Sequence, residues 1–365
     1  MALGRIPESH SVETMQVLTR GDIRSCLAEI DPVSIIEHAL RFHAHGRSVL
    51  PAEAYLEWEN SDKAYCRSLS MPGSIGEGAG RVIGVKVINA AISNPRKGLA
   101  RAGGFTVLFD QETGRPRVLA EGALLSAMRT AAYTIVSLRH IGPDRPAVVA
   151  MIGCGNLASV HAALLARHVP SVRHLRLYDV RPEATAALRR AWVAHGGRTA
   201  SVHDSAQHAL EGASVVITLT TSNKPYIPGE WLSETAFIAH VSLDDLQPDA
   251  LVGASAIYVD DIALVEQNPR RILGKLMRDG IVARCPNRAG GPAITGTLGD
   301  VVSGKLKAIP QHSGRVISNP FGMSILDLAL LQRVVEIADE RELGHPLDLG
   351  VDPDVERLFD RQGGS

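Results

Sequence analysis

One turn constrains the fold of this chain more than any other feature, the segment "GCGNLA" at residues 153–158. An apolar run before it predicts a short buried strand, and "VHAALLARHV" after it has the spacing of a helix. Two glycines allow a tight turn, and Ala158 is small enough for helix and strand to pack closely. The helix dipole and the free N–H groups of the first turn then favour a pyrophosphate. The cofactor-binding residues predicted here are Gly153, Gly155, Asn156 and Leu157.

A glycine pair at a turn also occurs without any ligand, so the residues that follow matter. The segment "VRHLRLYDV" predicts a second strand that ends at Asp179, 26 residues after Gly153. An acid at this place accepts hydrogen bonds from the adenosine ribose and would repel a 2′-phosphate. The sequence therefore predicts NAD as the cofactor, although Arg181 could partly reverse the preference over NADP.

Alternating strands and helices continue beyond this turn and predict a doubly wound parallel sheet. The further strands are "SVVITLT", "AFIAHVS" and "AIYVDD". The preceding part predicts two short helices within residues 21–45, the second capped at Asp31-Pro32, and then a mostly antiparallel sheet. Its strands are "AYCRSLSMP", "RVIGVKVINA", "GGFTVLFD" and "RPRVLAEG", with a hairpin turn at "DQETGR".

Two long helical segments connect these parts. "ALLSAMRTAAYTIVSLRHIG" leads into the glycine turn, and "NPFGMSILDLALLQRVVEIADERELG" is predicted to pack back on the first domain. The predicted fold class is α/β, with a Rossmann dinucleotide-binding domain and a smaller α+β substrate and dimerisation domain built from both chain ends. We place the Rossmann domain at residues 135–318 and the second domain at residues 1–134 and 319–365.

Composition excludes several classes of protein. The 365 residues carry a net charge of −1, which is not the basic footprint of a nucleic-acid binder. The four cysteines form no C-x-x-C pair, so neither a metal site nor a disulfide framework is expected. No signal core and no apolar run long enough to span a membrane is found. We expect a cytoplasmic protein that binds neither nucleic acid nor membrane.

Four segments together resemble the ornithine cyclodeaminase/mu-crystallin family in order and approximate spacing. They are "GVKVINAAISNPRKGL", "AEGALLSAMRTAA", "IGCGNLAS" and "AHVSLDDLQPDAL". Within the family, "NPRKGLARAGG", "TTSNKPYI" and "NPFGMSILDL" look most like the dehydrogenases of 2,3-diaminopropionate biosynthesis in siderophore and antibiotic pathways. The resemblance implies an NAD enzyme that oxidises N-(1-amino-1-carboxy-2-ethyl)-glutamate to 2-oxoglutarate and L-2,3-diaminopropionate.

The resemblance places the substrate carboxylate on Lys86 and Arg129, which are also candidate catalytic residues. A guanidinium can clamp a carboxylate with two hydrogen bonds, and an ammonium adds a point charge. Either side chain could instead point at water. Arg129, however, lies in the apolar helical segment "SAMRTAA", where an unpaired charge would be costly.

Asp244 aligns with the family's catalytic aspartate, but the acid–base residue of this subgroup could instead be the adjacent Asp245. Arg67 and Arg101 are predicted to add positive charge for a substrate with three carboxylates. Glu53 lies near the place where cyclodeaminases have a carboxylate-binding arginine. The resemblance also implies cofactor contacts at Thr220, Thr221, Ser242 and Arg101.

The preferred reaction is thus oxidation of an N-substituted amino acid with NAD. A cyclodeaminase acting on ornithine or lysine with recycled NAD, and a ketimine reductase, are alternative enzymes. A non-enzymatic mu-crystallin-like binding protein is an alternative of another class. The predicted partners are the amino-acid substrate and a second copy of the chain in a homodimer.

Overall fold

The computed structural model describes residues 14–195, 197–268, 270–286, 290–310 and 313–349, and these residues form two β-sheets. The elements that precede the glycine turn are β1 (Thr14–Leu18), α1 (Arg20–Leu27), α2 (Pro32–Ala44), β2 (Ser48–Val49), β3 (Ala54–Glu59), β4 (Tyr65–Ile75), β5 (Val82–Ala91), β6 (Ala102–Phe109), β7 (Pro116–Glu121) and α3 (Gly122–Ile141). The elements that follow residue 147 are β8 (Val148–Ile152), α4 (Asn156–His168), β9 (His174–Tyr178), α5 (Pro182–Val193), β10 (Thr199–Val202), α6 (Ala206–Leu210), β11 (Val215–Thr218), β12 (Phe237–His240), α7 (Pro248–Val252), β13 (Ala256–Val259), α8 (Ile262–Gln267), α9 (Ile272–Arg278), β14 (Gly296–Thr297), α10 (Leu298–Val302), β15 (Val316–Asn319), α11 (Ser324–Glu340) and β16 (His345–Asp348).

The first sheet has the strand order β16-β1-β7-β6-β5-β4-β2, and β3 also pairs with β4. All its pairs are antiparallel except β1 with β7, so the predicted mostly antiparallel sheet is confirmed. The four predicted strands correspond to β4–β7. The other four strands of this sheet, β1, β2, β3 and β16, were missed by the sequence analysis.

The second sheet is entirely parallel, in the order β10-β9-β8-β11-β12-β15-β13-β14. Strand β8 is third in this order, and the chain continues from it first towards one edge, through β9 and β10, and then towards the other, from β11 onwards. Ligands of doubly wound sheets bind at this reversal, outside the carboxyl ends of the strands. The glycine turn follows β8 directly, so the predicted α/β fold places it at that point.

Helix boundaries follow from local chemistry. The carboxylate of Asp31 caps α2 by accepting a hydrogen bond from Val33 N at 3.0 Å, as predicted. The predicted helix start at Asn319 is wrong, because residues 316–319 form β15 and α11 begins only at Ser324. Pro320 disfavours helical backbone at the residue before it, and Gly322 has a φ of +100° that no α-helix contains.

Helix α11 returns to the first sheet and packs against β4, β5, α1 and α2, as predicted. A helix from the C-terminal part of the chain thus lies against β4 and β5, two strands from its first quarter. The first sheet uses residues 14–121 and 345–348, and the second uses residues 148–319. The predicted division at residues 134/135 and 318/319 stays a prediction.

Strands β5 and β6 approach closely at Gly104, which pairs with Ile88. A Cβ atom at Gly104 would lie 2.0 Å from the carbonyl oxygen of Val87, whereas a Cβ atom at Gly103 would meet nothing within 4 Å. We expect Gly104→Ala to lower the free energy of unfolding by about 1–3 kcal/mol in urea titrations. The matched Gly103→Ala should leave it unchanged or raise it by up to about 1 kcal/mol. Equal stability of the two variants would contradict this account.

Candidate functional site

Three charged side chains from distant parts of the chain meet between the first sheet and the helices that cover it. Lys86 on β5 donates hydrogen bonds from Nζ to Asp327 Oδ1 on α11 at 2.9 Å and to Ser126 Oγ on α3 at 2.8 Å. Arg129 Nε, also on α3, lies 3.2 Å from Asp327 Oδ2. Lys86 is 1% exposed, Arg129 is 9% exposed and Asp327 is fully buried. The predicted pair Lys86 and Arg129 is therefore brought together on one carboxylate.

The charges at this centre do not balance, because two cations face one carboxylate. Burial, and after it the positive charge of Arg129, lower the pKa of Lys86 to about 8 against the opposing effect of Asp327. The contact between Arg129 Nε and Asp327 Oδ2 is an ion pair without the alignment of a hydrogen bond. A second carboxylate, supplied by a ligand, would neutralise the remaining positive charge.

The guanidinium of Arg129 packs against the backbone of Gly322. A Cβ atom at Gly322 would lie 2.9 Å from both Nη1 and Nη2, so a side chain there would displace Arg129. The carboxylate of Asp260 accepts hydrogen bonds from Phe321 N at 3.1 Å and Gly322 N at 2.6 Å and thereby fixes this segment. Burial raises the pKa of Asp260, and its backbone hydrogen bonds oppose that shift.

Three further arginines form a second group of positive charge. Burial lowers the pKa of Arg101, and the positive charges of Arg67 and Arg271 lower it further, which makes these three side chains electrostatic neighbours. The predicted residues Arg67 and Arg101 are thus in one cluster. Arg271 was not predicted, and it comes from the segment between α8 and α9.

Glu53 lies among these positive charges, between β2 and β3. Burial raises the pKa of Glu53, and the neighbouring Asp260 raises it further. The positive charges of Lys86, Arg129 and Arg67 act in the opposite direction. From the sequence, Glu53 was expected only to lie near the place where cyclodeaminases have a carboxylate-binding arginine, and no role was predicted for it.

The two candidate acid–base residues have different surroundings. Asp244 Oδ2 lies 2.5 Å from Arg271 Nη1, and Asp244 Oδ1 accepts a hydrogen bond from Ile272 N at 3.2 Å. Asp244 is 7% exposed, whereas Asp245 is fully buried. The choice between them stays a prediction.

Asp245 is held by two of the predicted cofactor-binding residues. Thr220 Oγ1 donates to Asp245 Oδ1 at 2.5 Å, and the Ser242 hydroxyl donates to Asp245 Oδ2. Burial raises the pKa of Asp245 against the effect of these hydrogen bonds. Thr220 and Ser242 follow the neighbouring strands β11 and β12, and Thr221 is exposed beside them. Their predicted contacts with a cofactor stay predictions.

The glycine turn fits the phosphates of a dinucleotide. Gly153 has a φ of +93°, and a Cβ atom there would lie 2.7 Å from the carbonyl carbon of Leu219. Gly155 caps α4 without any side-chain hydrogen bond, so no side chain competes at this helix start, where Asn156 and Leu157 follow. A helix N-terminus open in this way suits an anion.

Asp179 reaches back to the same turn after β9. Its Oδ2 atom accepts a hydrogen bond from Cys154 N at 2.7 Å, and its Oδ1 atom accepts one from Arg181 N at 2.9 Å. The Arg181 guanidinium also lies beside it, with Nε 3.4 Å from Oδ1. Asp179, the acid predicted to bind the adenosine ribose, therefore lies beside Arg181, the cation that could weaken the preference for NAD over NADP.

Asp327 is the most important residue that the sequence analysis missed. Its signal was a lone acid in the apolar helical segment "SILDLALL", which is the same argument that singled out Arg129. Asp260 and Arg271 had no comparable signal, because each stands beside a second residue of the same charge, Asp261 and Arg270 respectively.

Residues 13–342 match the ornithine cyclodeaminase/mu-crystallin family. The chain belongs to this family. A solved structure named CmnK is 47% identical, with a TM-score of 0.85, and the match covers 93% of this chain and 100% of that one. N-((2S)-2-amino-2-carboxyethyl)-L-glutamate dehydrogenase from Staphylococcus aureus is 27% identical over 340 residues, covering 92% of this chain and 98% of the relative.

The fold is also shared with an archaeal alanine dehydrogenase dimer solved with bound NAD. That structure is 24% identical and has a TM-score of 0.79, with 92% of this chain and 100% of that chain covered. The family, the fold class, the enzymatic character and the NAD cofactor predicted from the sequence agree with these findings.

Within the described residues, no helix combines the length and hydropathy needed to cross a bilayer. No group of three or more metal-ligating acids, histidines or cysteines was found in that same part of the chain.

The position of Asp179 predicts that NAD binds at least about tenfold more tightly than NADP, because a 2′-phosphate would meet its carboxylate. Fluorescence titration with NADH and NADPH measures the ratio. Asp179→Ala should weaken NADH binding and reduce the ratio. Arg181→Ala, which removes the adjacent cation, should increase the ratio. Tighter binding of NADPH by the parent protein would contradict the assignment.

Proposed function

We propose that this enzyme oxidises N-(1-amino-1-carboxy-2-ethyl)-glutamate with NAD and water to 2-oxoglutarate, L-2,3-diaminopropionate, NADH and a proton. This substrate is the compound in the name of the Staphylococcus aureus relative. The observation that carries the proposal is the contact of two cations, Lys86 and Arg129, with the single carboxylate of Asp327, together with the second group of positive charge at Arg67, Arg101 and Arg271. A substrate with three carboxylates matches such an excess of positive charge.

The chain's own residues position the substrate. Lys86 and Arg129 hold one carboxylate of the glutamate part, and Arg67 and Arg101 attract the other two. When bound, NAD accepts the hydride from the glutamate Cα. Orientation of the substrate by fixed charges contributes much of the rate acceleration, because it holds the glutamate Cα in one position.

Proton transfer belongs to Asp244 in this proposal. The substrate's secondary amine loses its proton to Asp244 or to water, so that oxidation gives a C=N bond. Water then adds to the carbon of that bond, and cleavage of the C–N bond releases 2-oxoglutarate and the primary amine. Arg271, which pairs with Asp244, is the residue that orients this carboxylate.

A cyclodeaminase is the second candidate, because the family includes such enzymes. It would form the same type of C=N bond, close it with a side-chain amine and return the hydride. Glu53, which lies near the place where cyclodeaminases have a carboxylate-binding arginine, and the cluster of Arg67 with Arg101 favour the dehydrogenase. A ketimine reductase would run the hydride step in reverse, and a pure binding protein would need no acid at Asp244.

We also propose that the enzyme is a cytoplasmic homodimer that pairs through the first sheet. Large apolar side chains are exposed on this sheet and its loops, and such a surface is typical of an interface. They are Val49, Leu56, Trp58, Tyr65, Ile92, Leu99 and Phe105. The archaeal alanine dehydrogenase of the same fold is itself a dimer.

The reaction can be tested in one cuvette. We expect the conjugate and NAD to give NADH and 2-oxoglutarate in equal amounts, because the hydride is not returned to the product. Ornithine should give neither NADH nor proline. Absorbance at the NADH band, followed by assays for 2-oxoglutarate and proline, measures the outcome. Proline formed from ornithine without accumulation of NADH would establish the cyclodeaminase instead.

Lys86 should impose an alkaline limit on activity. Its pKa of about 8 means that the ammonium is present below that pH and is lost above it, so carboxylate binding weakens as pH rises. We expect kcat/KM for the conjugate to fall through a pKa near 8. Lys86→Arg keeps the charge at high pH and should move this limit upward. A limit that stays near 8 in the variant would exclude Lys86 as its source.

A further inference from the structure

Glu53 is the one acid of the site without a partner in the described part of the chain. Asp327, Asp260 and Asp244 each accept hydrogen bonds or form ion pairs. Glu53 forms no hydrogen bond or ion pair with any described residue, although it is half-buried. A carboxylate partly removed from water and left without a donor is costly, and a ligand cation would offset that cost.

The strand register explains how Glu53 comes to face the site. It directly precedes Ala54, the first residue of β3, which pairs with Ser70 on β4. Met71, the next residue on β4, pairs with Lys86 on β5. The start of β3 therefore places Glu53 at the level of Lys86, and the charges of Lys86, Arg129 and Arg67 all act on its carboxyl.

An acid in this position has a chemical consequence. It repels every carboxylate that the surrounding cations attract, so it weakens binding of a purely anionic ligand. It strengthens binding of a ligand that carries a positive group next to a carboxylate. The head group of an α-amino acid has that arrangement, with its ammonium and carboxylate on one carbon.

We infer that Glu53 binds the primary ammonium of the substrate's aminocarboxyethyl arm, while Arg67 binds the carboxylate on the same carbon. The inference rests on the proposed function and adds a specificity-determining residue to it. Glu53 and Arg67 form a complementary pair for an amino-acid head group. Lys86 and Arg129 are then left for the glutamate part, where oxidation occurs.

Two substrates and one isosteric variant test this role. N-(2-carboxyethyl)-L-glutamate keeps all three carboxylates and the secondary amine of the conjugate but lacks the primary amine. We expect the parent enzyme to favour the conjugate over this analogue by at least about tenfold in kcat/KM, because a site built for a polar group discriminates against its absence. In Glu53→Gln, kcat/KM for the conjugate should fall at least about tenfold, mainly through KM. The value for the analogue should change by less than about threefold, so the preference should largely disappear.

Glu59→Gln is the matched control, because Glu59 lies at the far end of the strand that Glu53 precedes and is exposed. It should keep the parent's preference, and binding of NADH should be unchanged in both variants. Retention of the preference in Glu53→Gln would overturn the inference while the reaction stands. Equal losses with both substrates through kcat would assign Glu53 to proton transfer instead and would also overturn it. If the parent enzyme oxidises neither compound, the proposed function fails, and the inference fails with it.

Discussion

The buried ion pairs of Asp327 with Lys86 and Arg129 are the interaction on which the arrangement of this enzyme depends. They connect β5, α3 and α11, three elements that are far apart in sequence. Burying one charge without a partner costs several kcal/mol, whereas a compensated set is tolerated. The helix α11 must therefore pack where Asp327 meets both cations. This requirement sets the position of α11 relative to β5 and α3 at the site.

The same centre explains how structure and reactivity are combined. A fully neutralised set of charges would be more stable and would have no affinity for an anion. Here two cations contact one carboxylate, and the pKa of Lys86 is lowered to about 8, first by burial and then by the charge of Arg129. The Asp260 carboxylate supports Arg129 indirectly by fixing the backbone of Gly322, so the guanidinium has a defined surface to lie on.

Sequence reasoning recovered those features that local patterns encode. The glycine turn, the alternation of strands and the cap at Asp31 depend on neighbouring residues, and the structure has them as expected. Lys86 and Arg129 were found through family resemblance and through the cost of a charge on an apolar helix. Asp327 carried the same signal and was overlooked, but no spacing could have related residue 327 to residues 86 and 129. The start of α11 was placed too early because apolar periodicity outweighed the signals of Pro320 and Gly322.

The return of α11 also has a consequence for the synthesis of the chain. Lys86 and Arg129 emerge from the ribosome long before Asp327 does, since α11 follows the whole second sheet. Before Asp327 is synthesised, neither cation can form its ion pair with that carboxylate. Packing of the first sheet around the two side chains would then bury two unpaired charges. The first sheet therefore reaches its final packing only after the nucleotide-binding sheet has been synthesised. The three charges of this centre can therefore meet only after the residues of both sheets, except those of β16, have been synthesised.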